Sequence, residues 1–550
     1  GFFLETVEES EDTTARRVVE HFNATYEGQH ISKEVCHAKE PLIFDSVVME
    51  RPLLSMRQGA SVEVSPFEFE TKIKPGAVLY GIGSPAYIPT VGADTQANEI
   101  PAIRNRSVQE VPQADKAMWA QLGNWVHKYF DEIFPDWEQV TPSTFEEWNE
   151  RFPKGRQNAH KTALEHYKQW GFDPTKDTIR KTFLKREKGG GSGPGSFEGY
   201  DLRVIQGTTH TANVLLGPWM HGFTKMLKKC WGVDHFITYS GGLTGNDMGT
   251  WFEELQALYT EYFEDDYSRF DGTIQEAALA FEFSIYKRFG LDGDAWSVLL
   301  QQKCTRGYTK NGIKYWVMAT RKSGDPNTSV GNSLVNACAH LFLICMRHAK
   351  LHGLDIMDVA PSKELLKMLV MGDDNLAGTN VPLSVEYMQD SMRVLGFNAK
   401  TVQRESPYQL EFCNAKFWPS DKGYILAPKP GRLVKRLFYS VGLQKDWLGW
   451  VRGVAIGHYA NTHHVPFARK FIKRVLEITE GVKATKVYEP YKINVSEVGN
   501  VVPESWLAIA ANYGLDESDE VEFERLLSQI HSLPALIDHP IVDQLILVDN

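Results

Sequence analysis

Apolar residues return every three or four positions over 116–134, 275–289 and 385–394, the spacing that lines up one face of a helix. The first of these runs stops before Pro135, which cannot continue a helix. The same period predicts helices over 447–459, 467–477 and 505–513, and another over 15–22 behind an acidic start at 5–12. The glycines of 241–245 read as a loop, with Asn246 or Asp247 capping the helix that carries 251–259. A Gly/Pro loop over 323–332 opens into a long apolar helix, 333–348. Strand-like stretches are shorter: 62–69, 76–80, the aromatic-rich 263–271, the hairpin 369–378, and the pair 407–413 and 416–418.

The 550 residues, 42% hydrophobic and 23% charged, are ordinary globular material for two to four subdomains or one composite fold. A net charge of -11 makes the whole chain a poor electrostatic match for nucleic acid, so any basic channel is local. Six scattered cysteines without a C-x-x-C pair argue for a reducing compartment. Cys338 and Cys345 share an apolar stretch with His340 and His348, which reads as core packing on a helix in preference to a metal site. His463-His464 reads as surface and Asp292-Gly293-Asp294 as a turn. No run of about 18 apolar residues predicts a membrane span. The opening Gly1-Phe2-Phe3-Leu4 has no methionine, as in a processed product, and no signal peptide follows.

Chemistry concentrates in four places. Leu369-Val370-Met371-Gly372-Asp373-Asp374 reads as strand, tight turn and strand with two carboxylates at the tip. Such a pair is either a solvated turn or a seat for a hard divalent cation such as Mg²⁺ or Mn²⁺. Asp266 and Asp271 lie an odd number of residues apart, so they serve one site only if Ser268-Arg269 turns the chain. Thr328 and Asn332, four apart, share a helical face and either cap the helix or read a hydroxyl. Basic residues gather from Arg151 to Lys188 and lead into Arg186-Glu187-Lys188-Gly189-Gly190-Gly191 and then Arg203, a bare linker or a triphosphate clamp.

In order, these pieces resemble motifs F, A, B, C, D and E of viral RNA-dependent RNA polymerases: the basic stretch around Arg203, Asp-x-Ser-Arg-Phe-Asp, Ser-Gly-x-x-x-Thr-x-x-x-Asn, Gly-Asp-Asp, Gly-Phe-x-x-Lys and Glu-Phe-Cys. The resemblance covers about 145–440 and is strongest to positive-strand RNA viruses of the tombusvirus and nodavirus group. It implies an α+β fold, a closed right hand with an antiparallel palm sheet and non-permuted motifs. Residues 1–110 would be an N-terminal extension packing on fingers and thumb, 111–258 fingers, 259–274 palm, 275–320 a fingers insertion and palm, 321–420 palm, and 421–550 thumb and tail.

The resemblance also implies roles. Asp266 and Asp373, assisted by Asp374, would bridge two Mg²⁺ ions about 4 Å apart, with Mn²⁺ able to substitute. Lys188 and Arg203 would hold the nucleoside triphosphate, and Lys400 would protonate the departing pyrophosphate. Asp271, Thr328 and Asn332 would surround the ribose 2′-hydroxyl and favour NTPs over dNTPs. Ser323 and Gly324 would lie against template RNA, and Phe412 and Cys413 near the primer end. The implied partners are template and nascent RNA, NTPs and other viral replication proteins, at membrane-associated complexes of the host cytoplasm. A non-catalytic RNA-binding replication subunit is the alternative. The apolar segment 533–550 is a candidate to enter the cleft as a priming platform or autoinhibitor.

Overall fold

The computed structural model describes residues 4–6, 34–66, 74–189, 200–487 and 497–550. The helix expected over 15–22, positions 7–12 of the acidic start, positions 67–69 of the expected strand and Gly190-Gly191 lie outside the described residues.

A five-stranded sheet holds the centre. Its strands are β1 (Ile237–Tyr239), β2 (Glu261–Tyr267), β3 (Leu366–Met371), β4 (Asp374–Thr379) and β5 (Ala399–Arg404), in the order β5-β2-β4-β3-β1. All neighbours are antiparallel except β3 and β1. Helix α1 (Thr328–Leu351) packs on β3. It is long and apolar enough to cross a membrane by length and composition, yet 94% of its most apolar window is enclosed by the protein. Leu334, Val335, Phe342 and Ile344 make it apolar on several sides, as a central core helix must be. Cys338 and Cys345 are buried in the same core. The helix starts at Thr328, ahead of the expected 333, because the Thr328 hydroxyl meets the loop carbonyls of Lys322 at 2.7 Å and Asp325 at 3.1 Å.

β3 and β4 form the expected hairpin. Met371 pairs with Asp374, leaving Gly372 and Asp373 as a two-residue turn. Gly372 sits at φ +59°, where a side chain is rarely tolerated.

A second five-stranded sheet runs Ser61–Val64, Ile313–Met318, Cys304–Tyr308, Arg180–Leu184, Val204–Gly207. Its first strand comes from the N-terminal region, which joins sheets made by distant parts of the chain. Pro75–Leu79 pairs with Tyr439–Val441, and Val35–Ala38 pairs with Ala535–Ile537. Arg51 and Arg57 reach further, to the Asp201 carboxylate at 3.1 Å and the Gly272 carbonyl at 2.6 Å.

Segment 533–550 does not enter an open recess. Ala535–Ile537 is a strand between Val35–Ala38 and Ile82–Gly83, and Pro540–Val548 packs on Pro430–Arg436. Asp549 accepts from the Gly431 N–H at 2.8 Å and the Tyr513 hydroxyl at 2.7 Å. His464 is fully buried, contrary to its surface reading, because it packs beneath Ile425. Asp292 precedes a helix, Gly293–Leu300, in place of the expected simple turn. The cap of Gly245–Leu258 is Thr244, whose hydroxyl accepts from the Asp247 N–H while Asp247 accepts from the Thr244 N–H.

Candidate active site

Three carboxylates converge at one end of the central sheet. β2 pairs with β4 from Glu261↔Thr379 to Phe263↔Ala377, a register that carries Asp266 opposite Asp374. Past Phe263 the side chain of Asn375 replaces the ladder, accepting from the Asp265 N–H and donating to its carbonyl, each at 2.9 Å. Asp265 turns inward to His340 Nε2 at 2.5 Å, and Asp266, on the opposite face, is exposed. Lys400 of β5 is the direct cross-strand partner of Asp266, so both side chains share the open face.

The carboxylates of this cluster oppose one another electrostatically. Asp373 is pushed up to about 6, first by desolvation and then by Asp374 and Asp271. Asp374 is raised as well, by desolvation and by Asp266, with the Cys413 thiol at 3.5 Å pulling the other way. Among the described residues, no Lys or Arg forms an ion pair with Asp266, Asp373 or Asp374. Asp266, Asp373 and Asp374 offer water-accessible oxygens without a cationic partner, the donor type a hard divalent cation takes, although their carboxylates do not all lie within 4.8 Å of one another.

Asp373 and Asp374 border a recess of about 920 Å³. Asp271, Thr328, Asn332, Arg203 and Ser323 line the same recess. Arg269 takes the left-handed conformation, φ 53°, and ends β2 in a tight turn that brings Asp271 round to the side of Asp373. Asp271 accepts from Asn332 Nδ2 at 2.9 Å. Burial raises its carboxyl, while Asn332 and Arg321 hold it down.

Arg106, Lys185 and Arg203 line the same recess and bring positive charge to it, Arg203 acting on both Asp271 and Asp373. Glu187 lies between Lys185 and Arg203, at 3.6 and 3.3 Å. Lys188 is not part of this group. Its ammonium donates to the carbonyls of Arg436 at 2.9 Å and Tyr439 at 2.8 Å, and Arg436 donates back to the Lys188 carbonyl at 3.0 Å. Burial, with Arg436 and Arg432 nearby, lowers it to about 7. Lys188 therefore ties two distant segments together and is spent there.

Ser323 and Gly324 are held against the second sheet. Ser323 Oγ donates to the Val204 carbonyl at 2.9 Å, and a Cβ on Gly324 would collide with the Gln206 carbonyl. Arg180 pairs with Asp325 beneath the loop. Gly324 faces a neighbouring recess of about 320 Å³ that also holds Arg151, Arg156 and Lys228. Phe412 is buried among Leu369, Leu376 and Phe417, and places Cys413 in the turn beside Asp374.

Sequence reasoning missed Asn336, one α1 turn beyond Asn332. Its amide donates to the carbonyls of Gly372 at 2.9 Å and Asp374 at 3.1 Å, and its oxygen accepts from the Tyr267 hydroxyl at 3.0 Å. Ser333 Oγ accepts from the Gly372 N–H at 2.8 Å. The signal was present: 332, 336 and 340 are polar positions four apart in a largely apolar helix. Arg106 carried no such signal, because 96–106 joins the recess only through the tertiary fold.

A family model described as RNA-dependent RNA polymerase matches residues 196–446, which span Asp266, Asp271, Asp373 and Asp374. The chain is 28% identical over 334 residues to the RNA-directed RNA polymerase of Greasy grouper nervous necrosis virus, covering 56% of this chain and 31% of that protein. It is 26% identical over 244 residues to the replicase large subunit of Pepper mild mottle virus (strain Spain), covering 43% and 14%. The replicase large subunit of Youcai mosaic virus is 25% identical over 241 residues, with the same coverage. The chain thus spans a third or less of the length of these curated relatives. The likeness to positive-strand RNA virus polymerases, read first from the motifs, is carried by the family model and by these relatives together.

Proposed function

We propose, from the match of 196–446 to RNA-dependent RNA polymerases, that this chain copies a viral positive-strand RNA genome by joining NTPs onto an RNA 3′ end. The observation that carries the reading is the meeting of Asp266, Asp373 and Asp374 beside a recess that Asp271, Asn332, Arg106, Lys185 and Arg203 line together. Asp266, Asp373 and Asp374 would hold divalent cations, Mg²⁺ with Mn²⁺ able to substitute. When bound, these supply charge neutralisation for an in-line phosphoryl displacement. Arg203 and Lys185 would donate to the negative charge of a triphosphate, and one Glu187 carboxylate oxygen holds their two side chains together. Asp271 offers an acceptor to a ribose hydroxyl, steadied by the Asn332 amide. A sugar lacking that hydroxyl leaves the pair unpaired, which disfavours dNTPs. Thr328 lines the same wall. Lys400, the cross-strand partner of Asp266, would deliver a proton to the leaving group.

In this reading the central sheet is the palm, the second sheet belongs to the fingers, and 421–550 forms the thumb, with the Lys188–Arg436 exchange closing the hand. Ser323 and Gly324 would face template RNA, and Cys413 the primer end. Service within membrane-associated replication complexes of the host cytoplasm, with other replication proteins, belongs to the same proposal. The test is RNA synthesis on a short template with Mg²⁺ or Mn²⁺, with and without primer, beside Asp373→Ala/Asp374→Ala. NTP-dependent product lost in that variant supports the polymerase. RNA binding with no product in any lane would instead favour a non-catalytic replication subunit.

A further inference from the structure

Behind the Asp271–Asn332 pair runs a buried chain of charged and polar groups. Arg321 Nε donates to Asn332 Oδ1 at 2.8 Å, and Arg321 Nη2 donates to Glu282 Oε1 at 2.6 Å. The side chains of Arg321 and Glu282 are 1% and 0% exposed. Glu282 Oε2 also accepts from the Tyr286 hydroxyl at 2.5 Å and from Asn327 Nδ2 at 2.9 Å, and Asn327 exchanges two bonds with Gln302. Gly331 makes room for the pair, since a Cβ there would collide with Glu282 Oε2 and Arg321 Nη2. The Arg321 backbone is tied to the same place, its N–H donating to the Asp271 carbonyl at 2.9 Å.

The order of donors and acceptors along this chain leaves no freedom. A guanidinium can only donate, so Asn332 must turn its oxygen to Arg321 and its NH₂ to Asp271. An amide rotated by 180° would set its oxygen against the Asp271 carboxylate and its NH₂ against Arg321, two repulsive contacts in a low-dielectric site. Glu282 neutralises Arg321 and holds its fork in plane, which fixes the direction of Nε. Asp271 has its Oδ1 satisfied by Asn332 and lines the recess, with Oδ2 left as a further acceptor.

We infer that Glu282 and Arg321 are positioning residues for sugar selection: they lock the Asn332 amide so that Asp271 presents an acceptor to the 2′-hydroxyl of an incoming ribonucleotide. The inference rests on the polymerase reading above. Glu282 and Arg321 act through Asn332 and touch neither substrate nor reacting atoms.

The test is primer extension with the full chain, comparing kcat/KM for an NTP and the matching dNTP. One variant is Glu282→Leu/Arg321→Met, which removes the two charges of the pair together, the arrangement best tolerated on replacing a buried ion pair. The second is Arg321→Lys, which keeps a buried cation for Glu282 but loses the planar fork that reaches Asn332. Thermal unfolding followed by circular dichroism identifies the folded variants. The expected result is an NTP-to-dNTP preference reduced by about tenfold or more, since a site built to bond a hydroxyl discriminates through that bond. A preference within about threefold of the unaltered chain, in either folded variant, overturns the inference. No NTP extension by the unaltered chain would instead overturn the polymerase reading.

Discussion

The side-chain amide of Asn336 donates to the Gly372 carbonyl at 2.9 Å, and so the central helix α1 grips the turn that carries Asp373. The same side chain accepts from Tyr267, the neighbour of Asp266. One amide therefore spans the two strands that supply the carboxylates.

Asn336→Ala is expected to loosen that spacing. It strips partners from the Tyr267 hydroxyl and from two carbonyls, at a cost of about 1–3 kcal/mol in a chemical-denaturation curve. Mn²⁺ bound to the protein without RNA, followed by electron paramagnetic resonance, should weaken by about tenfold or more, as supporting partners of metal ligands usually dictate. Unchanged Mn²⁺ affinity would show that the amide serves packing alone.

Asp373 gives a pH signature. Its folded carboxyl titrates near 6, above its ordinary 3.8, so between those values the folded chain holds a proton that the unfolded chain has lost. Stability then falls as pH rises through this window and levels off above it. Asp373→Asn removes the effect. Its melting temperature should exceed that of the unaltered, metal-free chain at pH 8 and approach it near pH 4. Parallel melting curves at all pH values would contradict the assignment. RNA synthesis should decline below about pH 6, where a proton competes with the cation for Asp373.

Lys188→Met separates tethering from triphosphate binding. Two carbonyls, those of Arg436 and Tyr439, lose their donor, so thermal stability should drop by about 1–3 kcal/mol while KM for NTPs stays near its original value. Lys185→Met, on the recess wall, should do the reverse. A large rise in KM for Lys188→Met with unchanged stability would return that lysine to the nucleotide site.

Deleting 531–550 should unfold or strongly destabilise the chain. The cut removes Ala535–Ile537 from between two strands and takes away the Asp549 carboxylate that Gly431 and Tyr513 share. A tail lying in the cleft would instead leave a stable protein with altered initiation, which circular dichroism and a no-primer assay distinguish.

Local chemistry was legible in the sequence wherever a few residues fix it. Gly372 forces the turn, so the hairpin could be read directly, but only Asp373 of the expected pair sits at its tip, because Asp374 already pairs with Met371. The odd spacing of Asp266 and Asp271 demanded a turn at Ser268-Arg269, and Arg269 supplies it through a left-handed backbone. What stayed hidden depended on distant partners. Lys188 and Lys185 are three residues apart in one basic run, and only the fold shows which of them meets the carbonyls of 436 and 439. Arg321 and Glu282 meet across 39 residues, and neither shows its role without Asn332 beside it. Thr244 is the cap in place of Asn246 or Asp247 because three candidates within four residues compete and the backbone decides.

The pairing of Val35–Ala38 with Ala535–Ile537 bears on how the chain is made. A ribosome releases the first of these strands about 500 residues before the second, and in the interval its edge is open to any other partner. Closing so long a loop is slow, since the entropy of bringing its ends together must be met before the contacts form. The central sheet, whose strands all lie between 237 and 404, can assemble earlier. Maturation in translation should therefore run from the carboxylate-bearing core outward, with the Val35–Ile537 ladder as a late clasp, and a nascent-chain protease pulse should find 34–38 cleavable long after 261–379 has become resistant.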